Sequence, residues 1–226
     1  MRTLRSVVFD LDGTLIDSAP DLRRAVNRLL AAEGRSILDL YAVVGMIGDG
    51  AQKLVERAFE ATGGLDDANG LDDLTARFLG FYEGRATELT HPYAGVVETL
   101  QWLQSEGFSL GICTNKPEAP TREILHDLGL DAYFSAVFGG DTLDGVKKPD
   151  PRLLQAVLND LHCDAGAAVM VGDNANDVAV ARAAGVPIIL RAGGYTRIPA
   201  ADLGADQIIA TFADLPAALA RLRQDA

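Results

Sequence analysis

The feature that most constrains this chain is an alternation of short, wholly apolar, β-rich runs with longer amphipathic segments of helical spacing. The runs are Val7-Val8-Phe9, Leu110 to Cys113, Ala136-Val137-Phe138, Ala168 to Val171 and Pro187 to Leu190. Strands that are apolar on both faces need cover on both faces, and helical crossovers between parallel strands supply it. The segments between them carry stripes: Leu100/Leu103 ahead of Gly107, Ile124/Leu125/Leu128 ahead of Gly129, and Leu153/Leu154/Val157/Leu158/Leu161 behind Pro151. A glycine just past such a stripe stops a helix, and a proline just inside starts one. The expected fold class is therefore α/β, built on a parallel sheet.

Residues from about 18 to 87 break the alternation with three helical patterns and no strand. Ser18-x-x-Asp21, with Pro20 in the first turn, reads as a capping box, followed by the stripe Leu22, Val26, Leu29 and Leu30. Asp49 is placed to cap a second helix carrying Leu54, Val55, Ala58 and Phe59 and ending at Gly63-Gly64. Leu71, Leu74, Phe78 and Phe81 stripe a third. The expected organisation is an α/β core of residues 1–15 and 88–226, with a helical cap, 16–87, inserted after the first strand.

Composition limits the partners. With 48% apolar and 23% charged residues among 226, the chain can bury a core. A net charge of −12 argues against nucleic acid and against an anionic membrane surface, so an anionic small molecule must be held by local positive charge. No apolar stretch approaches the roughly 20 residues of a spanning helix, and the N-terminal apolar run is broken by Asp10 and Asp12, unlike a signal peptide. Two cysteines make no disulfide framework, so a cytoplasmic setting is expected. A monomer or homodimer is the expected assembly.

In open parallel sheets ligands bind beyond the carboxyl ends of the strands. The residues there are Asp10-Leu11-Asp12-Gly13-Thr14 after the first run, Thr114-Asn115-Lys116 after the second, Lys147-Lys148-Pro149 beyond the third, and Gly172-Asp173-Asn174-Ala175-Asn176-Asp177 after the fourth. Asp10 and Asp12, two apart in extended chain, face one crevice, and Gly13 lets the backbone turn at once. Carboxylates gathered from separate strands are costly unless a cation joins them, and hard oxygen ligands with room for a phosphate suit Mg²⁺. A divalent ion, a lysine, a threonine hydroxyl and loop N–H groups are what a phosphoryl group needs. One aspartate can then attack phosphorus, while a second protonates the leaving oxygen and activates water.

In their order and residue types, the segments at 10–14, 114–116, 148–149 and 172–177 resemble the four motifs of the haloacid dehalogenase-like phosphohydrolases, over essentially the whole chain. Within them the sequence most resembles the phosphoglycolate phosphatase family, through Val44-Gly45 with Gly48-Asp49-Gly50-Ala51, Thr114-Asn115-Lys116-Pro117, Gly139-Gly140-Asp141-Thr142-Leu143 and Gly193-Gly194-Tyr195. The resemblance implies a Rossmann-like core and a phosphatase of small phosphorylated metabolites that works through an aspartyl-phosphate. It implies Asp10 as nucleophile and metal ligand, Asp12 as general acid/base offering its carbonyl to the metal, and Asp173 as the other carboxylate ligand. Asp177 would assist at the metal or one layer out, Thr114 and the Asn115 N–H would hold phosphoryl oxygens, and Lys148, directly before Pro149, would steady the nucleophile. Asn174 stands where the family more often has Ser or Thr. The Gly48, Asp49 and Gly50 turn, opening a helix, is the candidate for the substrate carboxylate.

Other readings are weaker. Gly107 to Gly111 spells a hydrolase nucleophile elbow, but Ser109 opens a strand rather than ending one. Cys113 has Ala119, not Arg, six residues on, and His91, His126 and His162 have no metal-ligand spacing. Within the enzyme reading, a sugar phosphatase, a pyrophosphatase and a phosphoglucomutase-like mutase are alternatives. A non-catalytic phosphoryl sensor would not need the Asp10/Asp12 pair.

Overall fold

The computed structural model describes residues 3–65 and 70–224; residues 66–69, inside the expected cap, and both chain ends lie outside the described residues. Eight strands and nine α-helices are found among the described residues. Six strands, β1 (Ser6–Phe9), β4 (Ser109–Cys113), β5 (Ala136–Phe138), β6 (Ala168–Gly172), β7 (Ile188–Arg191) and β8 (Gln207–Ile209), form one sheet in the order β5-β4-β1-β6-β7-β8. Every pairing in it is parallel. The α/β parallel-sheet reading holds.

Strand alternation sorts the core into two layers. Val7, Phe9, Leu110, Ile112, Val169, Val171 and Ile189 point to one face, under α5 (Val96–Ser105), α6 (Glu118–Asp127) and α9 (Leu215–Gln224). Val8, Cys113, Met170, Ile188 and Leu190 point to the other, under α7 (Pro151–Asp160) and α8 (Ala175–Ala184). The expected strands are found within a residue or two. β8 escaped the sequence reading because it is a three-residue edge strand with one exposed isoleucine, Ile208.

Between β1 and α5 lie α1 (Ala19–Ala32), α2 (Leu40–Val44), α3 (Ala51–Glu60) and α4 (Leu71–Tyr82). The five-residue α2, absent from the sequence expectation, is too short to leave a stripe. Two short strands, β2 (Ile16–Asp17) and β3 (His91–Pro92), pair antiparallel where the chain leaves the sheet and returns. Among the described residues no helix is long and apolar enough to cross a membrane.

Two expected caps are corrected. Ser18 does not cap α1 through its side chain; its hydroxyl donates to Asp12 at 2.5 Å, and the buried Asp21 accepts from the N–H groups of Leu89 and Thr90 and from the Thr90 hydroxyl, each at 2.8 Å. Stronger tertiary partners take both side chains, and Asp21 pins α1 to the returning chain. Asp49 does not cap α3 either. Gly50 is its N-cap, and Asp49 turns to Arg57 at 2.5 Å and Asn176 at 2.7 Å.

Phe9 is the last residue of β1 and is fully buried, with Phe134 edge-on at 6.2 Å and Phe212 tilted at 6.4 Å. Phe9→Ala is expected to cost about 3–5 kcal/mol in urea unfolding, with the loss centred on the strand that carries Asp10.

Candidate active site

The sheet order sets β1 between β4 and β6, so their carboxyl ends meet where the chain reverses its direction of progress across the sheet. Asp10 prolongs the ladder by one bond, its N–H donating to Val171 O at 2.9 Å, and the chain then turns so that Leu11 O accepts from Thr14, Leu15 and Ile16. Gly13 makes the turn at φ 84°. A Cβ there would lie 2.5 Å from an Asp173 oxygen and 2.9 Å from the Tyr195 ring, so any side chain would push β1 and β6 apart.

Asp10, Asp173 and Asp177 are buried, and each offers an oxygen within 4.8 Å of the others. Lys148 Nζ lies 2.8 Å from Asp10 Oδ1 and 2.7 Å from Asp177 Oδ1. Its contact with Asp10 supplies charge but no well-directed hydrogen bond, so Asp10 Oδ1 is left with unused acceptor capacity. Burial pushes Asp10 up to about 6, opposed by Lys148 and helped by Asp177. Burial, with Asp177 and Asp10 adding repulsion, pushes Asp173 up to about 8. Burial alone would lower Lys148, but Asp10 and Asp177 outweigh it and hold the ammonium charged. Three carboxylates facing one lysine fit a hard divalent cation, by donor type and by the charge left over.

The members of this cluster are not equivalent. Asp177 spends both oxygens on the protein: Oδ1 on Lys148, and Oδ2 on the N–H groups of Asp173 and Asn174 at 3.0 and 3.1 Å, completing a capping box with Asn174 at the start of α8. It acts as the brace of the loop. Asp173 accepts only neutral donors, from Thr14 Oγ1, Asn174 Nδ2 and, at 2.6 Å, Tyr195 N–H. Asp12 stands outside the cluster. Its carboxylate accepts from Ser18 and from Lys116 Nζ at 3.2 and 3.3 Å. The two aspartates expected in one crevice do line one cavity, yet they face different lysines, Lys148 beside Asp10 and Lys116 beside Asp12.

That cavity, about 40 Å³, lies between the strand tips and helices α1, α3 and α4, and Asp10, Asp12, Thr114 and Asn115 line it together with Gly48, Gly50 and Lys116. Asp49, expected beside these glycines, does not line it. Burial by itself would raise Asp49, but Asn176 and Arg57 hold it below the usual carboxylate range. Thr114 Oγ1 accepts from Lys116 N–H at 3.3 Å, leaving its own proton to donate. Asn115 uses its side chain as a clamp: Nδ2 donates to Gly48 O and Lys148 O, and Oδ1 accepts from Lys148 N–H at 2.7 Å. Its backbone N–H, like that of Asp12, has no acceptor among the described residues.

Three residues of this site were missed from sequence. Lys116 is buried and ends the Thr-Asn-Lys segment, but nothing in its spacing distinguishes it from a solvated charge. Tyr82 follows Leu74 and Phe78 at intervals of four, a signal that was readable; the structure buries it and leaves Phe81 half-exposed. Tyr195 is the third: its hydroxyl accepts from the Ser18 and Ala19 N–H groups at 2.8 Å and donates to Asp17 at 2.6 Å, while its N–H holds Asp173. It ties Asp173 to the start of α1.

Known proteins resemble this chain along most of its length. The sequence profile of the haloacid dehalogenase-like hydrolases matches residues 4–185. A phosphoglycolate phosphatase of Rhodospirillum rubrum is 45% identical over 216 residues, 93% of this chain and 89% of the relative. One of Caulobacter vibrioides is 42% identical, covering 94% and 90%. The crystal structure of a predicted phosphoglycolate phosphatase from Haemophilus somnus superposes with a TM-score of 0.90 at 30% identity, covering 96% of this chain and 98% of that one.

The raised carboxyls set a pH dependence. Asp10 and Asp173 bind protons more tightly folded than unfolded, so without a divalent cation stability falls as pH rises from the ordinary 3.8 through about 6 and about 8. In chelator, urea unfolding is expected to show this decline between pH 5 and 8.5, and Asp173→Asn to flatten its upper part. A wild-type stability that climbs over this range would contradict it.

Proposed function

The chain belongs to the haloacid dehalogenase-like hydrolases, and we propose that it is a Mg²⁺-dependent phosphatase of 2-phosphoglycolate, releasing glycolate and phosphate through an aspartyl-phosphate. The observation that carries this reading is the pairing of a buried, cavity-facing Asp10 with Lys148, beside free donors on Thr114 and Asn115. The choice of substrate is supported by the likeness to the phosphoglycolate phosphatases of Rhodospirillum rubrum and Caulobacter vibrioides.

Asp10 and Asp173, with the Asp12 carbonyl, would hold Mg²⁺, which supplies positive charge to the carboxylates and to the phosphoryl oxygens. Lys148 keeps Asp10 ionised and aimed. An Asp10 oxygen forms a bond to phosphorus as the bond to the glycolate oxygen breaks, and Asp12 in its acid form gives that oxygen a proton. Asp12 then takes a proton from water, the resulting hydroxide attacks phosphorus, the Asp10–phosphorus bond breaks, and Asp12 is again an acid. Ser18 and Lys116 fix the Asp12 carboxyl at the cavity wall throughout. Thr114 Oγ1 and the Asn115 N–H donate to phosphoryl oxygens.

We assign residues 16–87 as a cap and the remainder as the core, joined where β2 pairs with β3. A cavity of about 40 Å³ has room for a few waters at most. Substrate entry therefore separates α3 and α4 from the strand tips, and closure excludes water from the aspartyl-phosphate. Gly48 and Gly50 contribute backbone at the closed interface; the Asp49 side chain serves as a brace.

Phosphate release from a panel of metabolite monoesters, with and without Mg²⁺, tests the function. 2-Phosphoglycolate is expected to lead, and a sugar phosphate, pyrophosphate or retained-phosphoryl product in its place defeats the reading. Asp10→Asn is expected to remove turnover by more than about 10⁴-fold with the fold intact; equal hydrolysis would exclude Asp10 as nucleophile. Gly50 sits at φ 90°, and a Cβ would come 3.0 Å from Asn115 O. Gly50→Val should raise KM for 2-phosphoglycolate by about tenfold or more through a displaced interface.

A further inference from the structure

Away from the strand tips the cavity wall is apolar, lined by Leu22, Ile47, Leu54, Phe78 and Leu79. A polyhydroxylated leaving group seated there would give up water without replacement partners. Beyond Asp10, Asp12, Thr114 and Asn115, two polar side chains line the cavity, Lys116 and Tyr82. Lys116 is the one cation on this wall among the described residues.

These two are built as a unit. Lys116 Nζ straddles the Asp12 oxygens at 3.2 and 3.3 Å and donates to Tyr82 OH at 3.0 Å, so its third N–H is left for a ligand. It also lies 4.7 Å over the Tyr82 ring. Burial alone would lower Lys116, but Asp12 outweighs it and the ammonium stays charged. Tyr82, pushed up to about 12 chiefly by burial, keeps its proton, and no described residue accepts it. Phe78, stacked at 6.0 Å and nearly parallel, fixes the ring. Two unspent donors, one of them charged, therefore meet in an otherwise apolar wall one side chain from Asp12.

We infer that Lys116 and Tyr82 determine specificity by binding a carboxylate on the leaving group, so that the substrate class is short carboxyalkyl phosphates rather than sugar phosphates. This rests on the phosphatase reading above. Lys116 comes from the strand-tip side and Tyr82 from α4, so a carboxylate held by both also joins the two sides of the cavity. A leaving group without a carboxylate forfeits both bonds and leaves the wall's donors unpaired, a stronger penalty than a missing methylene.

The test compares 2-phosphoglycolate with ethyl phosphate, which replaces the carboxylate by a methyl group. Wild type is expected to favour 2-phosphoglycolate in kcat/KM by at least about 100-fold, as two donor contacts, one charged, would give. Lys116→Met also disturbs Asp12, so the ratio between substrates is the readout rather than the rate. That ratio should fall about tenfold or more in Lys116→Met and in Tyr82→Phe, and in Tyr82→Phe the loss should lie in KM. Variants whose two rates fall in parallel, leaving the ratio within about twofold, would overturn the inference while the phosphatase reading stands. A wild-type enzyme that prefers ethyl phosphate or a sugar phosphate would overturn the substrate reading itself.

Discussion

Negative charge out of water is the constraint around which this structure is arranged. Asp10, Asp173 and Asp177 share a buried corner with one lysine, and an arrangement of that kind is stable only if surrounding groups spend their bonding on it. They do. Asp177 is consumed by Lys148 and two backbone N–H groups, Asp173 is wrapped by Thr14, Asn174 and Tyr195, and Gly13 gives up a side chain so that β1 and β6 can close. What remains unspent is on Asp10. Within this corner the residue with an unsatisfied oxygen is the one that lines the cavity, which is the condition a nucleophile requires.

The same bookkeeping reaches across to the helices of residues 19–82. Asn115 holds Lys148 with one end of its amide and Gly48 with the other, Asn176 holds Gly48 and Asp49, and Tyr195 joins Asp173 to the first turn of α1. Each of these groups serves the carboxylate corner and the helical block at once. Separating α3 and α4 from the sheet would release contacts made by residues that also position Lys148 and Asp173, so the state of the helical block and the electrostatics of the corner are physically coupled. The apolar cluster runs through both, from Val7 and Phe9 to Val55 and Phe78, and supplies the non-directional part of that attachment.

The sequence determined the layout. Unbroken apolar runs imposed a parallel sheet with two covered faces, and since ligands gather at the carboxyl ends of such strands, Asp10, Thr114, Lys148 and Asp173 could be placed at one rim before any contact was known. Strand periodicity is local, so it survives in the sequence. Tertiary structure decided the pairing. That Lys148 faces Asp10 while Lys116 faces Asp12, that Ser18 and Asp21 abandon the cap for Asp12 and Thr90, that Asp49 turns from the cavity to Arg57, and that Tyr195 reaches the start of α1 depend on which of several chemically equivalent partners lies within hydrogen-bonding distance. A hydrogen bond or ion pair is selected by distance and angle between residues far apart in the chain, and no pattern along the chain encodes either.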